Sequence, residues 1–237
     1  MKLTSTLWQH MDPSDYPGFL NVFSSDEEAI NALILLHAPG DNSFILDCTY
    51  GLGHMWADNR LFQPDLKTDL EPKAPGIKMM DFTQMDLVEA KQVAVIIFDP
   101  PHLSDHGATG TINYQRNYGV KVGVTGNAAD GGVTEFFPPF LKEAYRVLCP
   151  RGIVLCKIID MIHSSTYLWQ HTEFMYTAWK AGFTVRDLAI KKTSHLPQSS
   201  TWVAQHHLRN AYAYWICVQK PTNRQRVKPP FQFLKEE

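Results

Sequence analysis

The apolar run Val93-Ala94-Val95-Ile96-Ile97-Phe98, followed at once by Asp99-Pro100-Pro101-His102, decides how this chain is read. Six consecutive apolar residues, bounded by an acid and two prolines, describe a strand covered on both faces, as in a parallel sheet. Its abrupt end places rigid polar backbone at the carboxyl edge of that sheet, where open α/β folds keep their chemistry. Neither proline carries an N–H, and the residue before a proline is held away from helical conformations, so the Pro100 carbonyl is not consumed by a helix starting there. An acid beside a free carbonyl makes a pincer for an amino group. An ordinary strand-end turn is the plain alternative for these four residues alone. The rest of the sequence has to separate the two.

Upstream, Ser25-Asp26-Glu27-Glu28 is a capping box, and Ala29, Ile30, Leu33, Ile34 and His37 follow at helical spacing until Pro39-Gly40. Phe44-Ile45-Leu46 reads as a short buried strand that runs into the turn Asp47-Cys48-Thr49-Tyr50-Gly51-Leu52-Gly53. A helical segment through Met55, Trp56 and Leu61 is expected to return the chain to a second strand at Leu66-Lys67-Thr68-Asp69, with a third at Ile77-Lys78-Met79-Met80 before Asp81. Downstream, Phe136, Phe140, Leu141, Ala144, Tyr145 and Leu148 mark one face of a helix closed by Pro150-Arg151-Gly152. The spacing then predicts a strand over 153–156, a helix near 165–181, a strand from Thr184 and a last strand over 211–218. Strands alternating with helices imply a doubly wound, mostly parallel α/β sheet with helices on both faces.

The 237 residues suit one large domain, and 44% hydrophobic against 19% charged content rules out a disordered chain. The expected layout is an N-terminal arm over 1–22, a main domain over 23–220 with a glycine-rich loop at 102–132, and a basic tail over 221–237. Lys220 to Lys228 is a basic, proline-bounded stretch that could touch nucleic acid or simply be solvated. A net charge of −2 excludes a protein that coats nucleic acid by bulk attraction, so any such contact must be local. No apolar run approaches the length of a membrane span, the first residues lack a signal-peptide core, and Cys48, Cys149, Cys156 and Cys217 show no close pairing. A cytoplasmic protein with buried thiols and no membrane contact is expected.

The turn from Asp47 to Gly53 sits where a first strand meets the next segment, and its glycines allow close approach of a ligand. Asp69 ends the next strand, about where an acid grips ribose hydroxyls in nucleoside-binding folds. The dinucleotide fingerprint lacks its third glycine, and an acid beside the turn would repel a pyrophosphate but attract a sulfonium and an amino group. Asp81 would then meet an adenine amino group. Any one of these acids could be a solvated strand end, whereas Asp47, Asp69, Asp81 and Asp99 at four successive strand ends point to one site.

With these pieces, the sequence resembles class I S-adenosylmethionine-dependent methyltransferases, in the branch that methylates adenine N6 or cytosine N4 in nucleic acids. The resemblance spans about residues 20 to 220. It rests on Phe23-Ser24-Ser25, Asp47 to Gly53, Asp69-Leu70-Glu71-Pro72, Asp81-Phe82, Asp99-Pro100-Pro101-His102, Tyr145 to Gly152 and Tyr214 to Lys220. Cofactor motif before catalytic motif is similar to the gamma order of DNA amino-methyltransferases, and the His102 variant is similar to small phage enzymes. It implies a seven-stranded Rossmann-like sheet and S-adenosyl-L-methionine as cofactor. Phe23, Ser24, Asp47, Cys48, Thr49, Gly51, Gly53, Asp69, Asp81, Phe82 and Asp99 would bind the cofactor. Asp99, Pro100, Pro101 and His102 would form the catalytic motif, with His102 standing where the family has an aromatic that stacks on a flipped base.

Tyr114, Arg116, Tyr118 and Lys121 interleave rings with charge in the long loop, and these with His206 and His207 are candidate substrate contacts. His102, Asp105 and His106 are ligand-type residues, but short spacing alone does not make ligands converge, and no metal is expected. The expected activity is methylation of an exocyclic amino group in DNA, adenine N6 ahead of cytosine N4. Methylation of RNA, a catalytically silent binding module and a metal-dependent hydrolase are the alternatives. Composition and motifs give no oligomeric state.

Overall fold

The computed structural model describes residues 20–40, 43–100, 132–163, 166–193 and 210–222, and every structural statement below concerns these. Ten strands form, β1 (Val22–Phe23), β2 (Ile45–Asp47), β3 (Leu66–Asp69), β4 (Lys78–Met79), β5 (Val93–Phe98), β6 (Leu148–Ile158), β7 (Met161–His163), β8 (Thr166–Leu168), β9 (Thr184–Lys192) and β10 (Tyr212–Gln219). Three α-helices accompany them, α1 (Asp26–His37), α2 (Phe137–Val147) and α3 (Gln170–Lys180). Eight strands make one sheet in the order β1-β9-β10-β6-β5-β2-β3-β4, and β7 pairs with β8 apart from it. Every neighbouring pair in the large sheet is parallel except those made by β10, which runs against both β6 and β9.

The doubly wound α/β reading of the sequence holds. All six residues of β5 are buried, as a strand with helices on both faces requires. Ile96 and Phe98 face a core with Phe137, Phe140, Leu141 and Ala144 of α2 and Phe174 and Ala178 of α3. Val95 and Ile97 face the opposite core, with Ala29, Ile30, Leu33 and Ile34 of α1. The Ser25 side chain accepts from the Glu28 N–H while Glu28 returns to the Ser25 N–H, so α1 starts where its sequence says.

The differences from the sequence reading have local causes. The main sheet has eight strands rather than seven, because Val22, expected in the arm, and Phe23, expected at a helix opening, pair with Ile190 and Lys191. The segment through Met55, Trp56 and Leu61 forms only a 3-10 turn at His54–Trp56. Asn59 replaces the expected helix, since its side chain accepts from the Leu61 and Phe62 N–H groups and donates to Asn31. Strand β6 begins at Leu148 rather than residue 153, with an irregularity against β5 that absorbs Pro150 and Arg151. Helix α3 begins at Gln170 rather than near 165, where the buried Asp160 carboxylate accepts the His171 N–H, and the residues before it form β7 and β8.

Lys220 also departs from its expected surroundings. It is 9% exposed, and its ammonium donates to the carbonyls of Tyr145 at 2.6 Å and Leu148 at 2.7 Å, while lying 4.8 Å from the Tyr145 ring centroid. It therefore satisfies carbonyls that the end of α2 leaves without helical partners, in the place where a cation is favoured. The remainder of the basic stretch, from Asn223 on, lies outside the described residues. No helix among the described residues is long and apolar enough to cross a membrane. Replacing Lys220 by Met should lower the free energy of unfolding by about 1.5–3 kcal/mol, the cost of losing charged donors to buried carbonyls. Urea melts of the two proteins measure it, and an unchanged midpoint would remove the cap from the account.

Candidate functional site

The sheet reverses its winding between β2 and β5. From β2 the chain moves outward to β3 and β4, then returns to lay β5 on the other side of β2 and continues to β6. Ligands of open α/β sheets bind at the carboxyl ends of strands at such a reversal. A cleft of about 340 Å³ opens there, walled by the loop from Cys48 to Met55 and by Asp26, Asp69, Leu70, Phe82, Asp99 and Lys157.

The loop after β2 is folded by its own backbone. Gly51 and Gly53 have φ of 56° and 72°, the left-handed region that glycine enters without strain. A Cβ on Gly53 would also stand 2.5 Å from the Tyr50 ring. The Tyr50 N–H donates to the Thr68 carbonyl, and the Gly51 N–H donates to Asp69 Oδ2 at 2.8 Å, which ties the loop to the end of β3. The Asp99 N–H donates to the Thr49 hydroxyl at 2.7 Å, joining the loop to the end of β5. Cys48 is buried beneath, with its Sγ–H directed at the Ile97 carbonyl, and burial pushes the thiol well above its ordinary range. Its contribution to the cleft is backbone and shape rather than reactivity.

The residues singled out in the sequence fall into three groups. Cys48, Thr49, Gly51, Gly53, Asp69, Phe82 and Asp99 line the cleft together. Ser24 lines an adjoining polar pocket of about 230 Å³, which shares Asp26, His54 and Met55 with the cleft, while Phe23 packs on the core below α1. Asp47, Asp81 and Pro100 are not among the cleft-lining residues. Pro100 is buried directly after Asp99. Asp81 Oδ1 accepts from the Thr83 N–H and hydroxyl, each at 2.7 Å, which turns the chain after β4 and leaves its neighbour Phe82 on the cleft wall. Pro101, His102, Tyr114, Arg116, Tyr118, Lys121, His206 and His207 lie outside the described residues, as do Asp105 and His106.

Asp47 holds the loop from underneath. It is fully buried, with Oδ2 accepting the Trp56 indole N–H at 2.6 Å and Oδ1 accepting the Thr49 N–H at 3.0 Å. Burial, with the charges of Asp99 and Asp69 adding, pushes its carboxyl up from 3.8 to about 7 against those two hydrogen bonds. The fold thus carries an acid that its unfolded chain would ionise far more easily. Trp56 as the partner was hidden because its turn has no helical period.

Two charged residues of the cleft wall, Lys157 and Asp26, were not read as site residues. Lys157 stands near the end of β6, with Nζ 3.1 Å from Asp26 Oδ2 and 3.4 Å from Asp99 Oδ2. The signal for Lys157 was a lone charge beside the buried run Ile153 to Cys156, and Asp26 was read only as part of a capping box. The described cleft therefore presents three carboxylates, Asp26, Asp69 and Asp99, against the single ammonium of Lys157. Such a wall favours a ligand with net positive charge.

No protein-family model matches the chain, and no curated protein matches it. Solved structures align with it at low identity. A SAM-dependent methyltransferase from Methanosarcina mazei aligns with a TM-score of 0.45 at 10% identity, over 80% of this chain and 98% of that one. A candidate methyltransferase from Bacillus halodurans aligns with a TM-score of 0.46 at 13% identity, over 81% and 99%. A candidate DNA modification methylase from Thermus thermophilus, solved with S-adenosyl-L-methionine, aligns with a TM-score of 0.41 at 11% identity. That alignment covers 70% of this chain and 57% of the Thermus chain, so this chain spans under two thirds of that protein's length. At these identities and TM-scores the fold is defined by the strand order itself.

The state of Asp47 has a measurable consequence. In the unfolded chain its carboxyl ionises near 3.8 and in the folded chain near 7, so between those values the folded state keeps a proton that the unfolded state has lost. Its contribution to stability declines as pH rises through that window and stays lost above it. Thermal midpoints measured from about pH 5 to about pH 8 should fall more steeply in the wild type than in Asp47→Asn, where each 1 kcal/mol is about 2–4 °C for a chain of this size. Parallel slopes in the two proteins would contradict the buried acid.

Proposed function

We propose that this chain is a methyltransferase that uses S-adenosyl-L-methionine to methylate an exocyclic amino group in DNA, adenine N6 ahead of cytosine N4. The observation that carries the reading is Asp99, anchored through its N–H to Thr49 on the wall of an acid-lined cleft at the winding reversal and followed immediately by Pro100. When bound, the cofactor supplies an electrophilic methyl group on a sulfonium.

The residues present fit that group. Asp26, Asp69 and Asp99 outweigh Lys157 and suit a ligand whose sulfonium and ammonium outnumber its carboxylate. Asp69 lies at the end of β3, where its carboxylate can accept from ribose hydroxyls, and Gly51 and Gly53 bring backbone close to the ligand without side chains in the way. Phe82 offers an apolar wall for a purine, braced edge-on against Phe98 at 5.1 Å and Phe136 at 5.7 Å. Ser24 belongs to the rim of the site, Phe23 packs on the core rather than on the cleft, and Asp47 supports the site through Thr49 rather than by direct contact.

The chemistry falls to Asp99 and the Pro100 carbonyl, which accept the two hydrogens of the target amino group. Drawing the hydrogens out of the ring plane moves the nitrogen from planar toward tetrahedral geometry, which takes its lone pair out of ring conjugation and leaves it free to face the methyl donor. Alignment of this kind contributes up to about 7–11 kcal/mol of barrier lowering in well-oriented reactions. As the nitrogen becomes positive, the Asp99 charge stabilises it, and the proton is released afterwards. Pro101, His102, Tyr114, Arg116, Tyr118, Lys121, His206 and His207 complete the proposal as residues that position the base and its strand. A cytoplasmic location is part of the same proposal.

Asp99→Ala should lower methyl transfer by at least about 100-fold at saturating cofactor, since it removes an acceptor used at the reacting nitrogen as well as one carboxylate of the cleft wall. Transfer of labelled methyl to mixed-sequence DNA and to RNA, followed by nucleoside analysis, measures both the rate and the modified atom. Label on RNA alone would reassign the polymer, and no label on either under conditions where cofactor binds would remove the proposal. Asp69→Ala should instead weaken cofactor binding by about tenfold in calorimetry, the cost of one lost charged acceptor.

A further inference from the structure

Lys157 is placed by strand register. The β5–β6 pairing sets Phe98 opposite Cys156, so the next residues, Asp99 and Lys157, emerge side by side at the sheet's carboxyl edge. The β6–β10 pairing sets Lys157 opposite Trp215, whose indole N–H donates to Asp26 Oδ1 at 2.9 Å and whose ring lies 5.8 Å beneath the ammonium. Asp26, at the first position of α1, takes Lys157 on its other oxygen, with Lys191 of β9 at 3.7 Å from that same atom. The side chains of Lys157, Asp26 and Asp99 are 16%, 16% and 21% exposed, so solvent screens these charges weakly.

We propose that Lys157 is a positioning residue for the amino-group transfer assigned above to Asp99: held between Asp26 and Asp99, it keeps the Asp99 carboxylate aimed and ionised as an acceptor. The inference rests on that functional reading. The two carboxylates outweigh the desolvation of the ammonium and push its pKa up, so Lys157 stays a cation and is no proton acceptor at neutral pH. Its effect must therefore pass through Asp99.

Among the described residues, the charged or titratable groups around Asp99 include Lys157 of β6, Asp26 of α1 and the buried Asp47 of β2, with Asp69 beyond the glycine loop, Lys191 behind Asp26 and the neutral Cys156 thiol below. Without Lys157 the described groups that face Asp99 directly are acids. Asp99 would then hold a proton to higher pH, and a protonated Asp99 presents an O–H where the target amino group needs an acceptor. The clamp has a second consequence, because Lys157 joins the reacting carboxylate to the helix start that borders the cofactor cleft.

The test follows the Asp99 carboxyl by carbon-13 NMR titration, with its signal assigned by loss in Asp99→Asn, and the acid limb of kcat in the same proteins. In Lys157→Met the Asp99 midpoint and the acid limb should both rise by about one pH unit, with cofactor Kd no weaker than in the wild type. In Lys157→Arg both should return toward wild-type values, since the charge is kept. Circular dichroism on both variants establishes that they fold, and the Arg variant carries the test if Met does not. An unchanged Asp99 midpoint in Lys157→Met, or in Lys157→Arg a midpoint no different from Met, overturns the proposal. A raised midpoint with an unmoved acid limb overturns the role in transfer. A raised midpoint in a protein that methylates no amino group upholds the charge clamp and overturns the functional reading instead.

Discussion

The hydrogen bond from the Asp99 N–H to the Thr49 hydroxyl, at 2.7 Å, joins the two strand ends between which the sheet changes its direction of winding. Everything in the cleft is referred to that bond. Thr49 is in turn held by Asp47 through its own N–H, and Asp47 by the Trp56 indole, so the position of Asp99 is set from inside the core. The parallel pairing of β2 with β5 brings residues fifty positions apart to this contact. A parallel pair needs a long crossover, and here the crossover supplies β3, β4 and Asp69, one of the three acids on the cleft wall.

The cleft concentrates negative charge at some cost. Asp26, Asp69 and Asp99 stand on its wall and Asp47 beneath it, and two of the four have ammonium groups nearby. Burial raises a carboxyl's proton affinity and nearby like charges add to it, as Asp47 displays. The backbone offsets part of the cost, since the Gly51 and Glu71 N–H groups both donate to Asp69. A cationic ligand would offset more of it.

The sheet and the strand-end acids were legible because their signals are local. Residues 93–98 carry their burial in composition, and Ser25 to Glu28 carry the start of α1 in four letters. What escaped was non-local. The 3-10 turn at His54–Trp56 depends on Asn59 reaching Asn31, and no periodicity announces a side chain that replaces a helix. Asp47 reads as a ligand-facing acid in one dimension, yet the packing of Trp56 turns it inward. Lys157 acquires its meaning from two partners, 131 and 58 positions away, that only the strand register brings together.

Strand β10, last of the described strands, is not at an edge of the sheet. It lies between β6 and β9, antiparallel to both, and is paired along nearly its full length on either side. Until residues 212–219 arrive, β6 and β9 each keep an open row of backbone donors and acceptors, the kind of edge that recruits other chains. Translation delivers that strand after all the others described, so the order of synthesis opposes the order of closure. The sheet is completed by insertion rather than by extension, a slow event of high contact order, and chaperone demand and aggregation in the cell should centre on that interval.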